Sequence, residues 1–167
     1  AQAGANKIGM IRLEKLIEKI GWKNYLQNIE QLNNFAEGIS SASISKLKSG
    51  TYKFIDFLDD DGCGTANIKL AITMKIISDS AILDFTDSSI MVKGNLNCPK
   101  AVVAAASYYC FRCLMPSYTP ACHGLFRNIE IKTCEGSILH AVRPAAVAAG
   151  NVETSMRLVD LIFGVLA

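Results

Sequence analysis

Polar, turn-forming side chains are concentrated between residues 84 and 99. The stretch reads Asp-Phe-Thr-Asp-Ser-Ser-Ile-Met-Val-Lys-Gly-Asn-Leu-Asn-Cys-Pro, and it follows an apolar run. Carboxylate, hydroxyl and carboxamide groups bind ligands or hydrogen-bond their own backbone, and Asn and Gly tolerate left-handed backbone angles. The residue types therefore predict either an elaborate turn or the wall of a binding site, and they do not decide between the two.

A second group combines four residues that can bind zinc. Cys110 and Cys113 form a Cys-X-X-Cys pair, and Cys122 and His123 follow within 14 residues of Cys110. Zinc takes four such ligands in a tetrahedron. The pair falls late in an apolar helix-like segment, however, where cysteines act as small buried hydrophobes. Buried thiols are therefore favoured over a zinc site.

Two further motifs lack the residues that their chemistry requires. The acidic run 59–61 before Gly62 has neither the alternating ligands nor the distal glutamate of a calcium loop, so a charged hairpin turn is favoured. The run 94–97 lacks the Gly-Lys-Ser/Thr ending of a phosphate loop. No metal site is predicted in this chain.

His123 and His140 are the only imidazoles in the sequence. Neither lies near a serine or cysteine in a recognisable nucleophile motif, which is typical of structural histidines. His123 falls in a loop, where binding residues are often found, so it is a candidate for lining a site.

The composition indicates a globular chain of about one domain. Of the 167 residues, 50% are apolar and 19% are charged, which argues against disorder. The net charge of +2, without a long basic cluster, argues against nucleic-acid binding. No apolar run approaches the roughly 18 residues of a membrane span, and the chain does not begin with a secretory signal. We therefore expect a cytoplasmic protein whose six cysteines are reduced rather than paired in three disulfides.

The first 47 residues are predicted to be helical. Apolar residues recur three or four apart in 5–20, which predicts an amphipathic helix that ends at Gly21. A second helix is predicted over about 23–37, with a break at Gly38 and a shorter helical stretch through Leu47.

Residues 48–167 are predicted to mix strands and helices. Strands from Tyr52, over 68–76 and over 81–85 are joined by short polar turns, which is typical of an antiparallel meander. A buried helix of small residues is predicted over 99–114, beginning at Pro99, where the missing N–H costs nothing. A strand over 128–132 and a final helix capped by Asn151 or Thr154 complete an α+β fold.

Eight motifs in order resemble the hydantoinase B family, the B-type subunits or halves of N-methylhydantoinases, 5-oxoprolinases and acetone-type carboxylases. They run over nearly the whole chain: Ala1-Gln2 with Ala5-Asn6-Lys-Ile-Gly9, Ile44 and Leu47 with Gly50-Thr-Tyr52, Leu58-Asp59-Asp-Asp61-Gly62, Asp84-Phe85-Thr86, Gly94-Asn-Leu-Asn97-Cys-Pro99, Gly124-Leu-Phe-Arg127, Glu135-Gly136-Ser137, and Pro144-Ala-Ala-Val147. Members of that family are several hundred residues long, and both ends of this chain fall in helix-like, apolar sequence. The resemblance thus implies an internal or C-terminal segment of a larger subunit.

The resemblance implies an ATP-dependent enzyme that opens cyclic amides, or a related carboxylase. An A-type partner subunit would supply ATP and magnesium, and the family's HxxD-type metal motifs would lie upstream of Ala1. On this resemblance the predicted substrate-binding residues are Asp84, Thr86, Asn95 and Asn97, with Arg127 as an anion partner. His123 is added as a candidate from its place in a loop, and the catalytic residues stay unassigned. The segment alone is expected to be inactive. The alternative is a non-catalytic module that docks the ATP-binding partner.

The chain departs from the family pattern at several positions that bear on substrate choice. They are Asp87 in place of Gly, Cys122 in place of Asn, Asn128 in place of Pro, Lys48-Ser49 in place of Pro-Asp, and Ser41 in place of Arg.

Overall fold

Two long helices form the N-terminal part of the computed structural model, which describes residues 1–167. Helix α1 spans Gln2–Ile20 and ends at Gly21, whose φ of 82° suits glycine, as the sequence predicted. Helix α2 follows at once over Trp22–Ile44.

The predicted break at Gly38 is wrong, because α2 continues through it. A glycine inside a helix costs about 1 kcal/mol relative to alanine. That cost is offset by residues around and beyond Gly38 that are buried against the rest of the fold: Ala36, Ser40, Ser43 and Ile44. Burying the Ile44 side chain alone contributes roughly 1.5–3 kcal/mol.

Residues 2–35, the N-terminal arm, carry an apolar surface that the rest of the chain does not cover. Helix α1 has no buried residue. Large apolar side chains are exposed along the whole arm: Ile8, Met10, Ile11, Leu13, Leu16, Trp22, Leu26, Ile29, Leu32 and Phe35. The amphipathic pattern over 5–20 correctly predicted a helix, but within this chain most of its apolar side chains are exposed.

A four-stranded sheet in the order β1-β2-β3-β4 forms the centre of the fold. Strands β1 (Gly50–Asp60), β2 (Ala66–Ile77) and β3 (Ser80–Asp84) form the predicted antiparallel meander. Strand β4 (Ile129–Lys132) adds to β3 in parallel, with Ala81 opposite Ile129. The sequence did not predict this pairing, since a parallel neighbour is not specified by a short turn.

Two helices pack together and close the core. Helix α3 spans Lys100–Cys113, and helix α4 spans Ser155–Leu166 and also contacts β1 and β2. Strand β2 contributes buried side chains at alternate positions: Ile68, Leu70, Ile72, Met74 and Ile76. The predicted α+β class is confirmed, with N-terminal helices, a meander, a buried small-residue helix and a C-terminal helix.

The predicted ends of α3 and α4 need small corrections. Pro99 is the residue before the first turn of α3 and not its first helical residue. Neither Asn151 nor Thr154 caps α4 with its side chain, because a turn of π-helix, Gly150–Thr154, precedes that helix. The hydroxyl of Thr154 donates instead to the carbonyl of Leu96. None of the helices combines the length and hydropathy that a membrane span requires.

Candidate functional site

The six predicted site residues lie in three separate places. Asp84 and Thr86 lie at the C-terminal end of β3, and Asn95 and Asn97 lie in the loop before α3. His123 and Arg127 belong to the segment that leads into β4. Because β3 and β4 are parallel, that segment lies at the opposite end of the strand pair from Asp84. The six residues therefore do not form one site within this chain.

Asp84 and Thr86 form a local turn. One carboxylate oxygen of Asp84 accepts from the backbone N–H of Thr86 at 2.9 Å and from its hydroxyl at 2.6 Å. Residue 87, where glycine is usual in the family pattern, is an aspartate that pairs with Lys69 on β2 at 3.0 Å. This turn directs the chain back along β2.

Two serines that follow Thr86 hydrogen-bond through their side chains to the backbone of β2. The Ser88 hydroxyl accepts from the N–H of Ala71, and the Ser89 hydroxyl accepts from the N–H of Lys69, each at 3.0 Å. The register places Asp84 opposite Thr73, seven residues from Ala66 at the start of β2. At ~3.3 Å per residue, the seven residues from Thr73 to Ala66 span roughly 23 Å, and Gly94 lies beside Asp61 at the Ala66 end of β2.

Asn97 holds the loop between β3 and α3 in shape. Its side chain is fully buried and bonds only to backbone groups. The oxygen accepts from the N–H of Val92 at 2.8 Å, and the amide nitrogen donates to the carbonyls of Val92, Gly94 and Ala146 at 2.9–3.0 Å. A substrate could touch this carboxamide only if the loop opened, whereas Asn95 two residues earlier is exposed.

Asp61 fastens the same loop to the β1–β2 hairpin. Its carboxylate accepts from the N–H groups of Cys63 and Thr65 at 2.9 Å and, across the chain, from the N–H of Gly94 at 3.0 Å. These bonds to Thr65 and Gly94 lower the pKa of Asp61 to about 2. A Cβ at Gly94 would lie 2.1 Å from the Asp61 carbonyl oxygen, so only glycine fits there. The acidic run 59–61 predicted only a charged hairpin turn, because the bond from Gly94 to Asp61 joins residues 33 positions apart.

Arg127 and its neighbours hold α2 against the segment that precedes β4. The guanidinium pairs with Glu37 at 2.9 Å and with Glu30 at 3.3 Å, and the hydrogen bond that it donates to Glu37 is the main cause of its raised pKa. The N–H of Gly124 donates to the Asn33 side chain at 2.8 Å. The charge of Arg127 is thus already balanced within the chain, while His123 is exposed beside it.

Two of the departures from the family pattern meet at this junction. The Asn128 carboxamide donates to the hydroxyl of Ser41 on α2. A third departure, Cys122, contacts the Leu32 carbonyl through its sulfur. These three residues therefore contact each other or α2 and lie away from the 84–99 stretch.

The cysteines offer no activated nucleophile in the core. Burial raises the pKa of the Cys98 and Cys110 thiols to about 12. All six cysteines are unpaired, and no group of three or more His, Cys, Asp or Glu side chains converges as metal ligands would.

Acid should release the loop held by Asp61. The folded-state pKa of this carboxyl lies below its unfolded value, so its contribution is complete above about pH 4 and is lost as the pH falls toward 2. We expect the free energy of unfolding of the wild type to fall in that range, and the gap between wild type and Asp61→Asn to narrow with it. Urea titrations from pH 7 to pH 2.5 measure this.

Asp60→Asn is the control for this experiment. The Asp60 carboxylate accepts only the N–H of Gly62 and makes no hydrogen bond to the loop before α3. Its loss should cost less stability at pH 7 than the loss of Asp61. Equal losses would contradict the role assigned to the Asp61–Gly94 bond.

The chain matches known proteins over its full length. A family model described as hydantoinase B/oxoprolinase matches residues 1–167. A 5-oxoprolinase of Arabidopsis thaliana is 35% identical over 97% of the chain, and a 5-oxoprolinase of Saccharomyces cerevisiae is 33% identical over 100%. The chain spans only 14% and 13% of those two proteins.

A solved structure has the same fold. The ATP-dependent caprolactamase of Pseudomonas jessenii superposes with a TM-score of 0.85 at 22% identity, covering 99% of this chain and 28% of its own. At that level of identity the likeness bears on the fold alone.

Proposed function

The chain belongs to the hydantoinase B/oxoprolinase family, and from that membership we propose that it is part of an ATP-dependent enzyme that opens small cyclic amides, or of a related carboxylase. The observation that carries the proposal is the identity of 35% and 33% to two 5-oxoprolinases, aligned over nearly all of the chain. Because the chain spans about one seventh of those proteins, the reaction is assigned to the longer polypeptide and not to these residues alone.

The proposal gives this segment a B-type role beside an ATP-binding A-type partner. The partner would bind ATP and magnesium and activate the amide, and the polypeptide containing this segment would take part in ring opening, in the cytoplasm. Thr86, Asn95 and His123 are exposed and available to a substrate or to further parts of the polypeptide. Asp84 and Arg127 already bond within the chain, and buried Asn97 would serve by shaping the loop.

Turnover by the longer gene product tests this function. Combined with its A-type partner, it should hydrolyse hydantoins or 5-oxoproline and release phosphate only when ATP and magnesium are present. Ring-opened product and inorganic phosphate are measured together. Absence of turnover on every such cyclic amide would count against the proposal.

A second candidate function is docking of the ATP-binding partner by the N-terminal arm. It is favoured by the ten large apolar side chains that the arm exposes. Apolar patches of this kind mark interaction surfaces, because burying them releases water from their surface.

A charge-matched pair of variants separates the two functions. Leu26→Glu places a carboxylate in the apolar surface of the arm, and Gln27→Glu places one on the neighbouring exposed position. If docking is the role, only Leu26→Glu abolishes co-purification of the partner, and Asn95→Ala leaves turnover unchanged. If Asn95→Ala loses turnover but still co-purifies with the partner, the result supports a part for this segment in the reaction.

A further inference from the structure

Strand β1 forms one open edge of the sheet. It is 11 residues long and pairs with β2 alone. The opposite edge is β4, which has four residues and carries the Glu130–Lys132 ion pair at 3.5 Å. Short, charged edges are protected against pairing with a further strand, whereas long edges with apolar side chains are not. β1 exposes Phe54, Ile55 and Phe57, so it is the edge to which another strand can add.

The hydrogen bonds of β2 show which backbone groups of β1 are free. The N–H groups of Lys69 and Ala71 donate to serine hydroxyls in 88–89, so these odd-numbered residues of β2 turn their backbone groups away from β1. Backbone groups alternate in direction along a strand, so the even-numbered residues of β2 bond to β1. The register pairs even with even and odd with odd residues. The odd-numbered residues of β1 therefore turn their N–H and C=O groups outward.

The free backbone groups of β1 belong to Thr51, Lys53 and Ile55, whose side chains are all exposed. At Phe57, the next outward residue, the N–H donates at 2.8 Å to the Asp56 carboxylate of the same strand. This bond agrees with the outward direction of the odd-numbered residues. Three successive outward residues thus present the row of donors and acceptors that strand addition uses.

The charges of this edge are divided along its length. Lys48 lies just before the strand and Lys53 in its first half, whereas Asp56, Asp59 and Asp60 lie in its second half. An antiparallel copy of β1 would bring the basic half of each strand against the acidic half of the other. Opposite charges across a strand pair are stabilising, and a two-fold axis repeats each contact. A strand of this same sequence therefore has charges complementary to the edge.

The backbone limits where the two-fold axis can lie. Outward residues must face outward residues, so the axis passes through one residue of β1 rather than between two. An axis at either of the two charged residues in 53–56 would place like charges directly opposite, which is destabilising. An axis at Ile55 brings no lysine opposite an aspartate, and axes nearer the ends pair fewer residues. The axis at Phe54 brings Lys48 opposite Asp60 at both ends.

We propose that β1 pairs with β1 of a second copy of this chain, antiparallel about a two-fold axis at Phe54, so that the two sheets join into one. Lys53 then lies opposite Ile55 of the second copy and exchanges two backbone hydrogen bonds with it. The alkyl stem of the lysine covers the apolar side chain opposite. The proposal goes beyond the reaction proposed above, since it concerns how two copies of the longer polypeptide associate.

Cysteine cross-linking of the longer polypeptide tests the register. Opposite residues that exchange no hydrogen bonds have Cα atoms about 4.5 Å apart, which a disulfide can span. Phe54→Cys should therefore give a disulfide-linked dimer under mild oxidation, detected on a non-reducing gel. The wild type controls for the native cysteines, and Lys75→Cys controls for an exposed position of β2 away from the edge. Neither should form this dimer.

A proline at position 53 tests the backbone pairing. Proline is tolerated on an edge strand where its nitrogen faces away from the sheet, so Lys53→Pro should keep the fold, as the thermal unfolding midpoint will show. It should weaken dimerisation about a hundredfold in sedimentation equilibrium, because each dimer loses two hydrogen bonds. Lys53→Thr removes the same charge but keeps the N–H, so it should dimerise nearly as well as the wild type.

Three results would overturn the proposal. The first is a longer polypeptide that is monomeric at micromolar concentration; slow amide exchange at Lys53 and Ile55 in that monomer would show that a strand of the same polypeptide covers β1. The second is a dimer that Lys53→Pro leaves intact, since it must use another surface. The third is a dimer in which Phe54→Cys forms no cross-link. If Lys53→Pro fails to fold, the cross-link decides.

Discussion

Replacing Asn97 with alanine is expected to destabilise the chain by about 4 kcal/mol or more. The substitution leaves the N–H of Val92 and the carbonyls of Val92, Gly94 and Ala146 without their partner in a buried site. A buried polar group that loses its hydrogen bond costs about 1–3 kcal/mol, and water can reach only some of these four. Urea unfolding at pH 7 followed by circular dichroism measures the loss.

Asn95→Ala is the matched control, with the same side chain removed two residues away. The Asn95 side chain is exposed, and only its backbone carbonyl is used, by the N–H of Ala149. Its removal should change stability by less than about 0.5 kcal/mol, as is usual for surface positions. Similar losses in the two variants would show that Asn97 does not hold the loop in the way described.

Alanine at Gly150 should destabilise the fold by more than about 3 kcal/mol, the upper end of typical overpacking costs. The added Cβ would lie 2.0 Å from the carbonyl oxygen of Asn97 and 3.2 Å from the Cα of Cys98. Both contacts are with backbone, which cannot rotate away as a side chain can. The turn of π-helix must then separate from the loop before α3. The thermal unfolding midpoint and the urea midpoint both report this.

Gly38→Ala provides the opposite case in the same chain. No atom lies within 4 Å of the Cβ that would be added, and Gly38 is exposed inside α2. The variant should gain up to about 1 kcal/mol, since alanine loses less backbone entropy in a helix. A stabilised Gly150→Ala variant would mean that the loop and the turn are not in contact.

Local sequence patterns were sufficient for most of the secondary structure. Alternation in 68–76 and the turn residues around it identified the hairpins, because strand period and turn chemistry are encoded within a few residues. The helix break predicted at Gly38 is wrong because the low helix propensity of glycine is a weak effect. The burial of Ile44 further along α2 outweighs it. The β3–β4 pairing joins residues far apart in sequence, which no local pattern specifies.

The candidate site was harder to predict than the fold. Residue types in 84–99 marked a polar loop, but side-chain identity does not tell whether a carboxamide faces its own backbone or a ligand. Asn97 and Asn95 differ in this respect, one being buried and one exposed. Asp61 was not singled out as a site residue, because its role depends on a contact with a residue 33 positions away.

The parallel addition of β4 to β3 sets an order for folding. The first three strands are joined by short turns, whereas about 45 residues separate the end of β3 from the start of β4. Closing a loop of that length loses chain entropy before the contacts between β3 and β4 can stabilise the fold. The meander is therefore expected to form first and β4 to join later. The segment before β4 also carries Gly124 and Arg127, which hold α2 in place. The contacts of α2 with this segment are therefore expected to form only after the second half of the chain has folded.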